Sequence, residues 1–202
     1  MADPTSTPGV VLDFWFGPLD AHGEADDAHA RRWFERNEAF DREIAERFGA
    51  LHEEIVKRRH EDWLDEPSGR LAYVIVLDQF SRNMFRGSPR AFAADGQALA
   101  AAAEGVARGH DAALTRDERS FLYLPFMHSE ELAMQDRALA LYAALAAGSP
   151  ADRPDRPAKT LKYAEKHREV IARFGRFPQR NSAFGRTSTA DEWEFLKANP
   201  GF

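Results

Sequence analysis

The sequence predicts an all-α fold, with about eight or nine helices paired antiparallel, in a single domain over residues 1–202. Three observations lead there. Apolar residues recur at spacings of three and four through most of the chain. Residues that cap helix starts stand just ahead of several of these stretches. No strong hairpin signal separates them.

Thr7 is placed to cap a first helix, with Pro8 at its first position and Val10, Val11, Phe14 and Trp15 on one face. Asn37 is placed to cap the next, whose stripe is Phe40, Ile44, Phe48, Leu51 and Ile55. Ser68 opens a third, "LAYVIVLDQF", apolar nearly all round and therefore central. Its Val, Ile and Tyr also suit a buried strand, which is the alternative. Ser88-Pro89 starts a helix through Phe92, Leu99, Ala102 and Val106, closed by Gly109.

"TRDE", Thr115 to Glu118, reads as a capping box, and Pro125 is expected to interrupt the helix that follows. Ser129 is then expected to cap a helix carrying Leu132, Leu139, Tyr142 and Leu145. Gly148 to Pro157 is linker-like. Leu161, Ala164, Val170, Ile171 and Phe174 mark another helix, with Gly175 as its C-cap. "TADE", Thr189 to Glu192, is a second capping box, opening a short final helix around Trp193 and Leu196.

Composition narrows the function. The chain has 202 residues and a formal charge of −6, which argues against a general nucleic-acid binder. It has no cysteine, which excludes disulfides, thiolate nucleophiles and Cys-based metal sites. The longest apolar run, Leu71 to Leu77, is far short of the roughly 20 residues a bilayer needs. The N-terminus has no basic start and Asp13 breaks its apolar run, so a cytoplasmic protein without membrane contact is expected.

Within this acidic chain, Asp152 to Arg186 holds ten Lys or Arg against four Asp or Glu, a net of +6. Such asymmetry steers anions. Lys159, Lys162 and Lys166 read as the solvated face of their helix. "FPQRNSAFGR", Phe177 to Arg186, echoes "FSRNMFRG", Phe80 to Gly87, and each is read as following the end of a helix. A guanidinium presents a planar fork of donors matched to carboxylate or phosphate. Arg82, Asn83, Arg86, Arg176, Arg180 and Asn181 are thus candidate ligand contacts, with His167 beside them. Pairing of these arginines with Asp78, Glu130 or Glu131, tying helices together, is the competing expectation.

His128 stands just before a helix start, next to Ser129, Glu130 and Glu131. An imidazole there can serve as acid or base. It has no second ligand at helical spacing, so no metal is indicated, and no organic cofactor either.

"VLDFWFG", "LDQFSRNMFRG", "FLYLPFMHSEE", "YAEKH" and "RFGRFPQRN" with "GRTST" together resemble a bacterial family known as domain of unknown function 924. The resemblance covers nearly the whole chain. It implies a compact right-handed superhelix like that of tetratricopeptide repeats, and it implies no activity. The family's recurring polar residues fall on Asp78, Gln79, Arg82, Asn83, Arg86, His128 to Glu130, Gln135, His167, Arg173, Arg176, Arg180, Asn181 and Arg186.

Three functions follow as expectations. The first is a binding module holding an anionic small molecule or a peptide carboxylate in a pocket lined by these Arg, Asn and His residues. The second is a small-molecule hydrolase with His128 as acid or base and Glu130 or Glu131 as its partner. The third is a protein-interaction scaffold, in which Arg–carboxylate networks are structural and a protein partner binds elsewhere.

Overall fold

The computed structural model describes residues 7–148 and 155–199, without the side chains of 155–157. Most of the linker-like stretch from Gly148 to Pro157 lies outside the described residues. Helices α1 (Pro8–Phe16), α2 (Asp27–Phe34) and α3 (Glu38–Val56) are followed by α4 (Pro67–Ile75) and α5 (Ser81–Met84). Then come α6 (Asp95–Ala107), α7 (Arg116–His128), α8 (Leu132–Ala147), α9 (Asp155–Phe174) and α10 (Ala190–Ala198). A five-residue π turn, Val76–Phe80, joins α4 to α5, so residues 67–84 form one rod and the described helices number nine. The protein is all-α: among the described residues the sole β contact is an isolated bridge between Leu19 and Ala25.

The chain divides into two compact units. The first comprises the described residues of Met1–Arg86 and Arg90–Pro125; the second comprises those of Gly87–Pro89 and Phe126–Phe202.

In the first unit Thr7 caps α1 through the Val10 amide, and Gly17, at φ 63°, closes it. Asn37 caps α3 through the amides of Ala39 and Phe40. The apolar stripes meet in an aromatic core. Trp15 lies 5.5 Å from Phe121 and 5.6 Å from Phe80, ring centre to ring centre, and Phe14 lies 4.9 Å from Phe48. Such tilted and edge-on contacts add to the burial of the rings themselves. α4 runs through this core with Leu71 to Leu77 fully buried, so the "LAYVIVL" segment is a central helix, not a strand.

Two polar features of this core have physical causes the helical period does not reveal. Arg70 is fully buried, and its guanidinium is satisfied by the carbonyls of Ala101, at 2.7 Å, and Leu64. Gly105 makes room for it: a Cβ there would stand 2.5 Å from Arg70 Cδ. The π turn fits an extra residue into the helix and turns Asp78 and Gln79 inward, both buried.

The segment before α2 is tied down by α7: the Ala25 amide donates to Asp117 at 2.8 Å, and Arg116 pairs with Glu24 at 2.9 Å. α7 runs through Pro125 to His128, so the proline does not break it as expected. Ser129 does not cap α8 either. That helix begins at Leu132, and the Ser129 hydroxyl accepts the Glu131 amide instead. Gln135, fully buried in the second unit, donates to the carbonyls of Met127 at 2.7 Å and Ser129 at 2.6 Å. It thereby serves carbonyls a helix end leaves without an internal donor. α8 and α9 pack along each other, and Val170, Ile171 and Phe177 form a small core with Phe174 and Phe195 against it.

Among the described residues no helix is long and apolar enough to cross a membrane.

Candidate functional site

In the first unit the candidate ligand contacts are occupied by carboxylates. Arg82 lies on α5, 2.8 Å from the Asp78 carbonyl, and forks onto Asp95 at 2.9 and 3.0 Å. Burial disfavours the Arg82 charge, but Asp78 and Asp95 outweigh it and hold the guanidinium more firmly protonated than usual. Arg86 forks onto Asp41 at 2.6 and 3.0 Å, and Asn83 donates to the same carboxylate at 2.8 Å. The echo between the two Arg-Asn segments does not extend to backbone form. Arg82 and Asn83 are helical, whereas Arg180 ends a 3₁₀ turn, Pro178–Arg180.

In the second unit the loop after α9 explains much of its own charge. Gly175, at φ 67°, ends α9 with its amide 2.8 Å from the Ile171 carbonyl. Arg186 forks onto Glu130 at 2.7 and 3.0 Å, and the Phe177 amide donates to that carboxylate at 2.9 Å. Burial would raise the Glu130 carboxyl, but these hydrogen bonds and the charges of Arg186 and Arg180 bring it below its ordinary value.

Arg176 forks onto Glu192 at 2.7 and 2.9 Å. Glu192 is 2% exposed and belongs to the capping box that opens α10. The Arg176 hydrogen bonds, despite burial and with help from the Thr189 amide, pull its carboxyl down to about 2. Asn181 donates to Ser188 at 2.9 Å and to Glu192 at 3.3 Å.

His128, His167 and Arg180 come together around Phe177. The Arg180 guanidinium lies 4.6 Å from the centre of the Phe177 ring and donates to the His128 carbonyl at 2.9 Å. The His167 ring is 5.4 Å from Phe177 and 6.4 Å from His128, and its Nδ1 donates to the Tyr163 carbonyl at 2.8 Å. Glu131 is exposed just before α8, and Glu130 is committed to Arg186. Among the described residues no group of three or more His, Asp or Glu is arranged to hold a metal.

Arg173 has no carboxylate partner among the described residues. It stands at the end of α9 and lies over Phe174 at 4.6 Å. It lines a cleft of about 220 Å³ with Lys166, Glu169, Val170, Phe174, Phe195 and Asn199. Residues 166, 170, 173 and 174 share one face of α9; Phe195 lies on α10 and Asn199 is that helix's C-cap. Phe174 and Phe195 meet at 5.3 Å to form the apolar floor. Sequence reading included Arg173 among the family's polar residues but not as a ligand contact. The signal was available: of the arginines between 173 and 186, it alone lies within the helical period of α9 rather than in the loop.

The chain's described residues are thus all-helical, and the second unit carries an open amphipathic cleft between α9 and α10. The chain belongs to the family described as "Bacterial protein of unknown function (DUF924)", which it matches over residues 11–200. A solved structure, that of protein of unknown function ATU0120 from Agrobacterium tumefaciens, is 36% identical to it. That likeness covers 97% of this chain and 99% of the other, with a TM-score of 0.82. No curated protein matches the chain.

Proposed function

We propose that this protein is a binding module that holds a small carboxylate in the α9–α10 cleft of the second unit. The observation that carries the reading is Arg173. Its guanidinium has no carboxylate partner among the described residues and lines, with Lys166 and Glu169, a cleft with an apolar floor. A guanidinium with its fork unfilled offers two parallel donors to a carboxylate, and desolvation by Phe174 and Phe195 strengthens the pair. The ligand is therefore an anion with an apolar body, such as an aryl or alkyl carboxylate.

Arg82, Asn83, Arg86, Arg176 and Arg186 act as ties within their units on this reading, because each is already bound to a carboxylate. Hydrolysis by His128 draws less support, since Glu130 is held by Arg186. The helix pairs serve as a tetratricopeptide-like framework in a single-domain cytoplasmic protein, and neither nucleic acid nor cofactor is needed.

The test is calorimetric titration of the full chain with 3-phenylpropionate. Saturable binding is expected, weakened at least about tenfold by Arg173→Ala, the loss of a charged hydrogen bond being about 1.5–3 kcal/mol. Arg36→Ala, exposed in the first unit and outside the cleft's lining, leaves it unchanged. Absence of saturable binding, or equal binding by Arg173→Ala, sinks the proposal.

A further inference from the structure

The cleft is the end of a longer feature. Lys159, Lys162, Lys166 and Arg173 are spaced three, four and seven residues apart on α9, so at 100° per residue they fall within one narrow arc. All four are exposed, and none has a carboxylate partner among the described residues. Beside them on the helix run Tyr163, 60% exposed, then Val170 and Phe174. A row of free cations flanked by an apolar edge is more than the cleft alone requires. From Lys159 to Arg173 the row is about 21 Å long, at 1.5 Å per residue. An extended chain covers that distance in about six residues.

We propose that α9 docks an acidic, extended peptide segment of a partner protein. This rests on the carboxylate reading above and names the ligand's source. The peptide's acidic side chains lie along Lys159, Lys162 and Lys166. One apolar side chain enters the floor of Val170, Phe174 and Phe195, and Arg173 takes the carboxylate next to it. Complementary charge steers the encounter and sets register, and the buried apolar anchor supplies affinity.

A nucleic acid could also answer a row of cations, but it fits less well. Glu165 and Glu169 beside the row and the chain's −6 charge oppose any polyanion alike; the difference is the apolar floor, for which a phosphate backbone has no group and a peptide has a side chain.

The experiment is fluorescence anisotropy with the full chain and a labelled hexapeptide of Asp and Glu containing one Phe. Controls are the Phe→Ala peptide, a Lys-for-Glu peptide and a single-stranded oligonucleotide of equal charge. The acidic peptide is expected to bind more tightly than 3-phenylpropionate. Lys159→Glu combined with Lys162→Glu weakens the peptide about tenfold, as expected for two reversed rim charges, and leaves 3-phenylpropionate unchanged. The Phe→Ala peptide loses affinity to a similar degree.

Three results overturn the proposal: no binding of the acidic peptide, equal binding by the charge-reversed protein, or tighter binding of the oligonucleotide. Where 3-phenylpropionate still binds through Arg173, such a result removes the peptide and leaves the carboxylate site. Where 3-phenylpropionate fails as well, both readings fall.

Discussion

Glu130 and Arg186 are 56 residues apart in the chain, yet the carboxylate meets both terminal nitrogens of the guanidinium, at 2.7 and 3.0 Å. The pair anchors the loop after α9 to the segment before α8. Each side chain is about a quarter exposed, so solvent screens part of the attraction. A double-mutant cycle with Glu130→Ala and Arg186→Ala should give a coupling energy of about 1–2 kcal/mol in denaturant unfolding. Strict additivity of the two losses would show that the pair does not hold the loop.

Glu192 makes the acid side of stability predictable. Its folded value is about 2 against an ordinary 4.5, so the folded state favours the charged form. The stabilisation is complete above the unfolded value and is lost as pH falls through the folded one, from about pH 5 to about pH 2. Glu192→Gln should therefore be less stable at neutral pH and show a shallower decline across that window. An unaltered slope in a pH series of denaturant melts contradicts this.

His52 acts in the same direction at higher pH. It is buried in the first unit, with Nε2 2.7 Å from the Ser81 hydroxyl, and burial followed by the charge of Arg90 pushes its imidazole down to about 4. Its ordinary value is 6.5, so between the two the unfolded chain holds the proton and the folded chain does not. Stability should rise with pH from about 4 to 6.5, with a slope approaching about 1.4 kcal/mol per pH unit. His52→Gln should remove this contribution, and persistence of the full slope in the variant would exclude His52 as its source.

Two glycines should respond oppositely to alanine. At Gly105 a Cβ meets Arg70 at 2.5 Å, in a place where Arg70 is fixed by two carbonyls; a loss of about 1–3 kcal/mol is expected. At Gly49, inside α3, nothing lies within 4 Å, and alanine should gain about 0.5–1 kcal/mol through helix propensity. Thermal melts of the two variants check both signs.

Most helix positions were legible because they depend on local spacing and caps, although α2 was missed and the helix expected from Ser88-Pro89 begins at Asp95. Thr7, Asn37 and the Thr189–Glu192 box do what their residue types suggest. The failures arise where a local signal competes with a longer-range partner. Pro125 costs α7 a hydrogen bond without ending it. Ser129 does not cap α8, and Gln135 reaches back to serve the carbonyls there. The π turn adds a residue that no helical period announces.

Charge pairing was the least legible. The competing expectation that the arginines tie helices together named Glu130 and Asp78 among their partners, and both do pair with arginine. Asp41, Asp95 and Glu192, from other helices, were not foreseen, because sequence gives no distance between residues so far apart. Arg173 differs from these arginines in lying within the helical period of α9, and it has no ion pair among the described residues.

Glu192 binds the Thr189 amide and hydroxyl, Asn181 and Arg176 at once, so the loop and α10 share a single fastening. Phe195, one wall of the cleft, stands one turn further along the same helix. The loop and α10 should then open as one cooperative unit in amide hydrogen exchange, with the wall of the cleft leaving together with them. Whatever occupies the cleft would close that unit, so slowed exchange along α10 would report ligand capture from a helix that carries neither of its cationic contacts.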